Sequence, residues 1–451
     1  METEYKLSKY NFVVKNDDES LLLYNSLSNG FIELIPPYKG MFEQFLLKDK
    51  NISFNNEDEN KLKENLLRGH MIHDVNLDPL DILRVRNRTG RYNLKSLGIT
   101  ILPTLNCNFN CIYCTEDRRQ QYMTDETYSK VIEFIKNKML EKQSLSITYY
   151  GGEPLLCGEK IFEFSYKLHK IAETNKWYIN QMMVSNGYLL DKATALKMQE
   201  LKIGSVQITI DGIASIHNKR RPHVNNSGTY EKIIQNIKDI CGIIGVVVRV
   251  NLDKTNYKHS RALVDCLEGE GLKEKISLYF SPVKPYTEVC MDIGSSCIGD
   301  KTFSSLEVDL YEYAHSRGFR VTRYPSLKFG YCGADNDSSF CISPDGSLFK
   351  CWNEVSFPDK SYGNIHNMVI DDISNYKLLK WLAWDPFEKT KCKSCNIFPI
   401  CMSGCPDMAI TAGSKTKGVC YNAKYNLKRI LLLHYNIKKQ LMLKQGIKTK
   451  A

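Results

Sequence analysis

The hydrophobic positions change their period along the 451-residue chain, and the clearest pattern lies in its middle. From Ser96 to about Pro282, apolar β-branched runs alternate with amphipathic stretches six times. The runs at 98–103, 145–150, 181–185, 205–210, 245–251 and 276–280 predict strands. The stretches at 124–140, 160–174, 192–200 and 229–240 predict helices. Thr124 suits the cap of the first of these, with Asp125 and Glu126 in its opening turn. Apolar strands alternating with helices predict a parallel sheet covered by helices. Six such units make an α/β fold, a partial (β/α)6 barrel of the TIM type, whose site belongs at the carboxyl ends of the strands.

The flanks read differently. Residues 5–81 predict a small α+β element, with strands at 10–14 and 21–24 around the turn Asn16-Asp17-Asp18, then 32–34. Helices at 40–47 and 57–68 and a return segment at 71–75 complete it, and 78–92 reads as a connecting helix and linker. Beyond about Ser326 the alternation stops, and short strands, Gly and Pro turns and cysteines take over. Such a region lacks apolar mass and needs metal to hold its shape. The expected divisions are 1–81, a linker at 82–95, the barrel at 96–300, a bridge at 301–325, the cysteine-rich part at 326–422 and a basic helix at 423–451.

Composition narrows the class. An apolar fraction of 43% and a charged fraction of 25% are those of a soluble globular protein. No apolar run approaches the roughly 20 residues that span a bilayer, and METEYKLSKYNF has no signal core. The expectation is a cytoplasmic protein with no membrane partner. Thiols stay reduced there, so the 16 cysteines do not read as a disulfide framework. The net charge of +10 is concentrated in residues 424–451, which hold eight Lys or Arg and no acid. That suits an amphipathic helix with a solvated face, and no nucleic acid is expected as a partner.

Three cysteines form Cys107-Asn-Phe-Asn-Cys111-Ile-Tyr-Cys114, directly after the first barrel strand. Three thiolates on one loop can hold three irons of a [4Fe–4S] cube and leave the fourth open, whereas a structural zinc site wants four ligands. This spacing, with Tyr113 before the last cysteine, resembles the signature of the radical S-adenosylmethionine (SAM) superfamily. Gly151-Gly152-Glu153-Pro154 after the second strand resembles that family's motif for the methionine amino group of SAM. Physically, the glycines permit close backbone approach and Glu153 can accept from an ammonium. Ser185-Asn186 and Asp211 at the third and fourth strand ends resemble its ribose-contacting positions, and Arg249 and Asn251 its further polar positions near SAM. Arg249 reads equally well as one half of a salt bridge at the core rim. The segment His217-Asn-Lys-Arg-Arg-Pro-His223 also matches this family, with His217 read as a structural residue.

The later cysteines resemble the SPASM extension of peptide-modifying radical SAM enzymes: Cys332, Gly346 and Cys351, then Cys392-x2-Cys395-x5-Cys401-x3-Cys405, then Cys420. The resemblance implies two auxiliary [4Fe–4S] clusters, hence three in all. One would be held by Cys332, Cys351 and Cys405, the other by Cys392, Cys395, Cys401 and Cys420. Cys341 completes the first, or a substrate thiolate does; it lies in a strand expected at 340–343, where its side chain would oppose Phe340 and Ile342. The N-terminal element resembles the winged-helix-like leader-recognition domain of ribosomal-peptide maturases. Together these resemblances imply hydrogen abstraction from a precursor peptide by a 5′-deoxyadenosyl radical, an electron donor such as flavodoxin or ferredoxin, and a crosslinked product, a thioether first. Carbon–carbon crosslinking, epimerisation and formylglycine formation are the alternatives. Sulfatase-maturing relatives carry an acidic base directly after the Gly-x4-Cys cysteine; here Trp352 follows Cys351, and no catalytic base is assignable.

Overall fold

A computed structural model describes residues 4–16, 20–47, 52–92, 95–321, 323–367, 375–414, 416 and 418–445. Two compact units result. One comprises Met1–Arg91, Thr322–Tyr331 and Asp385–Ala451, the other Tyr92–Val321 and Cys332–Trp384.

In the first unit, β1 (Tyr5–Leu7) pairs antiparallel with β5 (Ile72–Asp74), while β2 (Asn11–Lys15), β3 (Leu21–Asn25) and β4 (Gly30–Leu34) form an antiparallel meander. Asp17 and Asp18 of the expected turn lie outside the described residues. Every residue of β3 is buried because both faces of the meander are covered. Alternate residues serve the two faces. Leu21 and Leu23 pack with Phe42, Phe45, Leu62 and Leu66 of the helices Tyr38–Leu47 and Glu57–Arg68. Leu22 and Tyr24 pack with Ile397 and Ile400 from the cysteine-rich segment and with Leu427 and Leu431 of the helix Ala423–Lys444. The N-terminal strands and this cysteine-rich segment therefore share one core.

The second unit is built on a sheet whose strands follow in chain order, all parallel: β6 (Ser96–Ile101), β7 (Ser144–Tyr149), β8 (Tyr178–Ser185), β9 (Ile203–Thr209), β10 (Gly245–Leu252) and β11 (Ile276–Pro282). The helices Asp125–Lys138, Gly158–Asn175, Lys192–Glu200, Tyr230–Ile240, Ser260–Gly269 and Asp300–Ser316 lie between or after them. Thr124 caps the first, accepting from the Thr127 N–H at 3.1 Å, as its sequence suggests. The sheet does not close. At the β6 edge, β12 (Ser339–Ile342) joins in parallel and continues through the antiparallel β13 (Ser347–Phe349) and β14 (Gly363–Asn364). The pleat separates Phe340, which meets Phe134, from Cys341, which is buried with Leu102, Leu105, Phe349 and Val355. No helix among the described residues is long and apolar enough to cross a membrane.

Candidate functional site

The loop after β6 carries Cys107, Cys111 and Cys114 at the carboxyl end of the sheet, and backbone contacts from two sides fix it. Gly152 and Glu153 donate their N–H groups to the Thr104 and Asn106 carbonyls at 3.1 and 2.9 Å. A Cβ on Gly152 would stand 2.1 Å from the Asn106 carbonyl oxygen, and one on Gly151, at φ +117°, 2.5 Å from that of Thr104. The two glycines thus allow one strand-end loop to lie on the next. The other side of the cysteine loop forms a short antiparallel ribbon with residues 220–224, bridged at Phe109 and His223.

Glu153 is fully buried and ties β7 to β8. Its carboxylate accepts from Ser185 Oγ at 2.8 Å and from the Asn186 and Leu155 N–H groups at 2.7 and 3.1 Å. Burial raises its pKa against the pull of those donors. Asn186 in turn donates to Asn108 Oδ1 at 2.7 Å, and its Nδ2 lies 3.9 Å from Cys107 Sγ. Burial, then the Glu153 charge, pushes the Cys107 thiol up to about 12. Burial also raises Cys111, against which the Arg221 guanidinium acts.

Asp211 closes the next strand end. It accepts from the Tyr113 hydroxyl and from the Asn251 N–H at 3.1 Å, and Arg220 Nε stands 3.5 Å away. Arg220 also donates to Asp253 at 2.8 Å and Thr255 at 2.7 Å. Arg249 donates to Asn251 Oδ1 at 2.8 Å and Ser281 Oγ at 3.1 Å, with no carboxylate partner among the described residues, so the rim salt bridge is not formed. His217 is structural: fully buried, it accepts the Asp211 N–H at 3.3 Å through Nδ1, and burial holds its pKa well below the usual range.

The structure thus links Tyr113, Asp211 and Arg249 through Asn251, and Glu153, Ser185 and Asn186 beside Cys107. The sequence reading did not single out Arg220, Arg221, Asp253 or Glu116. Adjacent arginines in the matching segment were the available signal for the first two. Glu116 is buried, donated to by Tyr150, and pushed up to about 7 by burial. Tyr150 stacks on Trp352 with ring centroids 4.8 Å apart. Cys332 is exposed and Cys351 half-buried in the same unit.

In the first unit, Cys392, Cys395, Cys401 and Cys420 line one cavity of about 230 Å³, together with Ile397, Phe398 and the lysines Lys391 and Lys424. Lys424 Nζ stands 3.7 Å from Cys420 Sγ. Among the described residues no three His, Cys, Asp or Glu side chains stand close enough to chelate a single ion. The cavity joins all four cysteines that the sequence pattern groups, and an all-thiol donor set fits an iron–sulfur cluster. Cys405 begins a short helix nearby in the chain, Pro406–Thr411, and does not line the cavity.

Residues 101–265 match the family model described as the Radical SAM superfamily. Over these residues the chain carries a radical SAM domain, the domain of an enzyme. It is 23% identical over 355 residues to the cysteine-type anaerobic sulfatase-maturating enzyme of Clostridium novyi, covering 69% of this chain and 88% of that one. It is 22% identical over 448 residues to the radical SAM cyclopropyl synthase TigE of Paramaledivibacter caminithermalis, covering 89% of each. The fold is that of Streptococcus suis SuiB, solved bound to its precursor peptide SuiA, with a TM-score of 0.51, 16% identity, and 92% of this chain and 99% of that one covered.

Proposed function

We propose that this enzyme matures a ribosomally made precursor peptide, recognising a leader through the N-terminal strands and helices and installing a crosslink, a thioether first. The observation that carries the reading is the meander β2–β3–β4, whose outer strands each have one strand neighbour among the described residues, an edge to which a peptide strand can add. The named relatives support the substrate class, since one is a peptide-bound structure. Cys107, Cys111 and Cys114 would hold the site cluster, and Tyr113, Gly151, Gly152, Glu153, Ser185, Asn186, Asp211 and Arg249 would surround SAM. Cys392, Cys395, Cys401 and Cys420 would hold an auxiliary cluster, one of three clusters in all. Cluster and SAM together, when bound and reduced, supply a hydrogen-abstracting 5′-deoxyadenosyl radical. The chain's own contribution is to fix the loop geometry, exclude water and hold the peptide C–H near that radical. A flavodoxin or ferredoxin would deliver the electron, in the cytoplasm, with no nucleic acid or membrane involved.

A second reading, carbon–carbon bond formation, is favoured by the match to the cyclopropyl synthase along 89% of the chain. Formylglycine formation is disfavoured by Trp352 at the position after Cys351. The test is the mass of any short Cys-containing peptide found in a neighbouring reading frame, after anaerobic incubation with reconstituted protein, SAM and reductant. Loss of two hydrogens with one fewer alkylatable thiol is expected. The same loss with every thiol free supports the second reading, and no 5′-deoxyadenosine from intact clusters refutes both.

A further inference from the structure

Arg221 is a buried cation with no carboxylate in direct contact among the described residues. It is 8% exposed, its Nε has no hydrogen-bond partner, and no acidic side chain pairs with it among the described residues. Its neighbour Arg220 takes the nearby acids, Asp253 at 2.8 Å and Asp211 at 3.5 Å. Asp211 and Glu153 act on it only through space, and a buried charge with no partner in contact favours a counter-charge that comes closer.

The ribbon shows where it arrives. Asn110 and Ile112 donate to the Pro222 and Arg220 carbonyls at 2.8 and 3.0 Å, and Val224 donates to the Asn108 carbonyl at 2.9 Å. With Phe109 bridged to His223, the same register sets Cys111 opposite Arg221 as a non-hydrogen-bonded pair. Such a pair puts both side chains on one face with Cβ atoms about 4.5–5.5 Å apart. The guanidinium lies over that face, 5.8 Å from the Phe109 ring centre, and donates to the Tyr113 hydroxyl at 2.9 Å. Phe109, Cys111 and Tyr113 alternate along the loop, so Arg221 spans the middle one. Its own backbone is held by the His217 carbonyl at 2.8 Å and by Thr229 Oγ1, which donates to the Arg221 carbonyl at 2.8 Å.

We propose that Arg221 is the electrostatic partner of the Cys107–Cys111–Cys114 cluster and makes its one-electron reduction easier. The proposal rests on the reading of those cysteines as ligands. A cube held by three thiolates is anionic and gains a further negative charge on reduction, and net charge with hydrogen bonding to sulfur sets the potential of such clusters. A fixed cation on the Cys111 side favours the reduced state, and Arg220, neutralised by two acids, does not substitute for it.

The test is an EPR-monitored redox titration of the anaerobically reconstituted full chain without SAM or peptide. The site-cluster signal is the one lost in C111A. R221M is expected to lower the reduction equilibrium constant at least tenfold, a midpoint more negative by about 59 mV for a one-electron couple. R221K is expected to keep most of the wild-type value. R221Q, uncharged but still a donor, follows R221M and serves if R221M loses iron. An unchanged midpoint in the neutral variants overturns the proposal, even if SAM binds more weakly to them. Equal shifts in R221K and R221M overturn it too, because packing rather than charge would then be at work. If C111A loses no iron and no signal, it is the ligand reading that fails instead.

Discussion

Replacing Arg220 by methionine is the sharpest test of how the strand ends are held. The guanidinium is 4% exposed, and the Asp253 and Asp211 side chains it faces are 4% and 0% exposed. The 2.8 Å contact to Asp253 carries most of the interaction, since the 3.5 Å contact to Asp211 is long and that carboxylate also has Tyr113 and Asn251 as donors. Methionine keeps much of the volume and leaves the acids uncompensated in a dry site. Breaking a buried pair in this way costs about 3–5 kcal/mol. At about 2 °C per kcal/mol for a unit of this size, the melting point falls by roughly 6–10 °C. Asp253 retains donors in the N–H and hydroxyl of Thr255, at 2.8 and 2.6 Å, so D253N keeps local geometry while removing the charge. The double variant R220M/D253N should therefore recover about 1–3 kcal/mol relative to the sum of the single losses. The assay is calorimetric melting of the reconstituted wild type, both single variants and the double variant. Additivity within about 0.5 kcal/mol, or a loss below about 1 kcal/mol in R220M, would refute the network as described.

Three further outcomes are expected. C392A, C395A, C401A and C420A should each lower bound iron by about four atoms per chain, measured colorimetrically after reconstitution, whereas the exposed Cys266 should be replaceable by alanine without loss. G404A places a Cβ 1.9 Å from the Val419 carbonyl oxygen at φ +76°, beside the same cavity, while G413A at φ +62° meets nothing within 4 Å. G413A should therefore cost only the left-handed penalty of about 1 kcal/mol, and G404A should lose both iron and several degrees of melting temperature. T124A removes the cap of the helix Asp125–Lys138 and should cost about 1 kcal/mol, read from the urea midpoint.

What the sequence made legible was local. The strands at 98–103 and 276–280 were readable because β-branched and aromatic residues recur on the buried face of each, and their ends fell within a few residues of β6 and β11. Cys107 to Cys114 and Gly151 to Glu153 were readable because each motif is contiguous. Tyr5–Leu7 was not, because three residues carry no period and the partner strand Ile72–Asp74 is more than sixty residues away. The place of β12 was equally hidden. A strand at 340–343 was expected, but nothing in those residues says that Ser339 lies against Gly98 at the edge of the parallel sheet.

The same limit explains the electrostatics. A charged residue's role depends on which partner the fold brings to it, and that information is not carried by spacing. Arg220 and Arg221 are adjacent and chemically identical, yet one forms ion pairs with two acids and the other touches none among the described residues. The difference comes from geometry at the end of the helix Ala214–Arg220, where the chain leaves the helix and becomes extended. Arg220, still helical, turns toward the acids beyond β9 and β10. Arg221, already in the ribbon, is committed by its register to the face of Cys111. A one-residue slip of that ribbon would send the Arg221 side chain to the opposite face. The bridge at His223 and the Thr229 bond to the Arg221 carbonyl hold it in place.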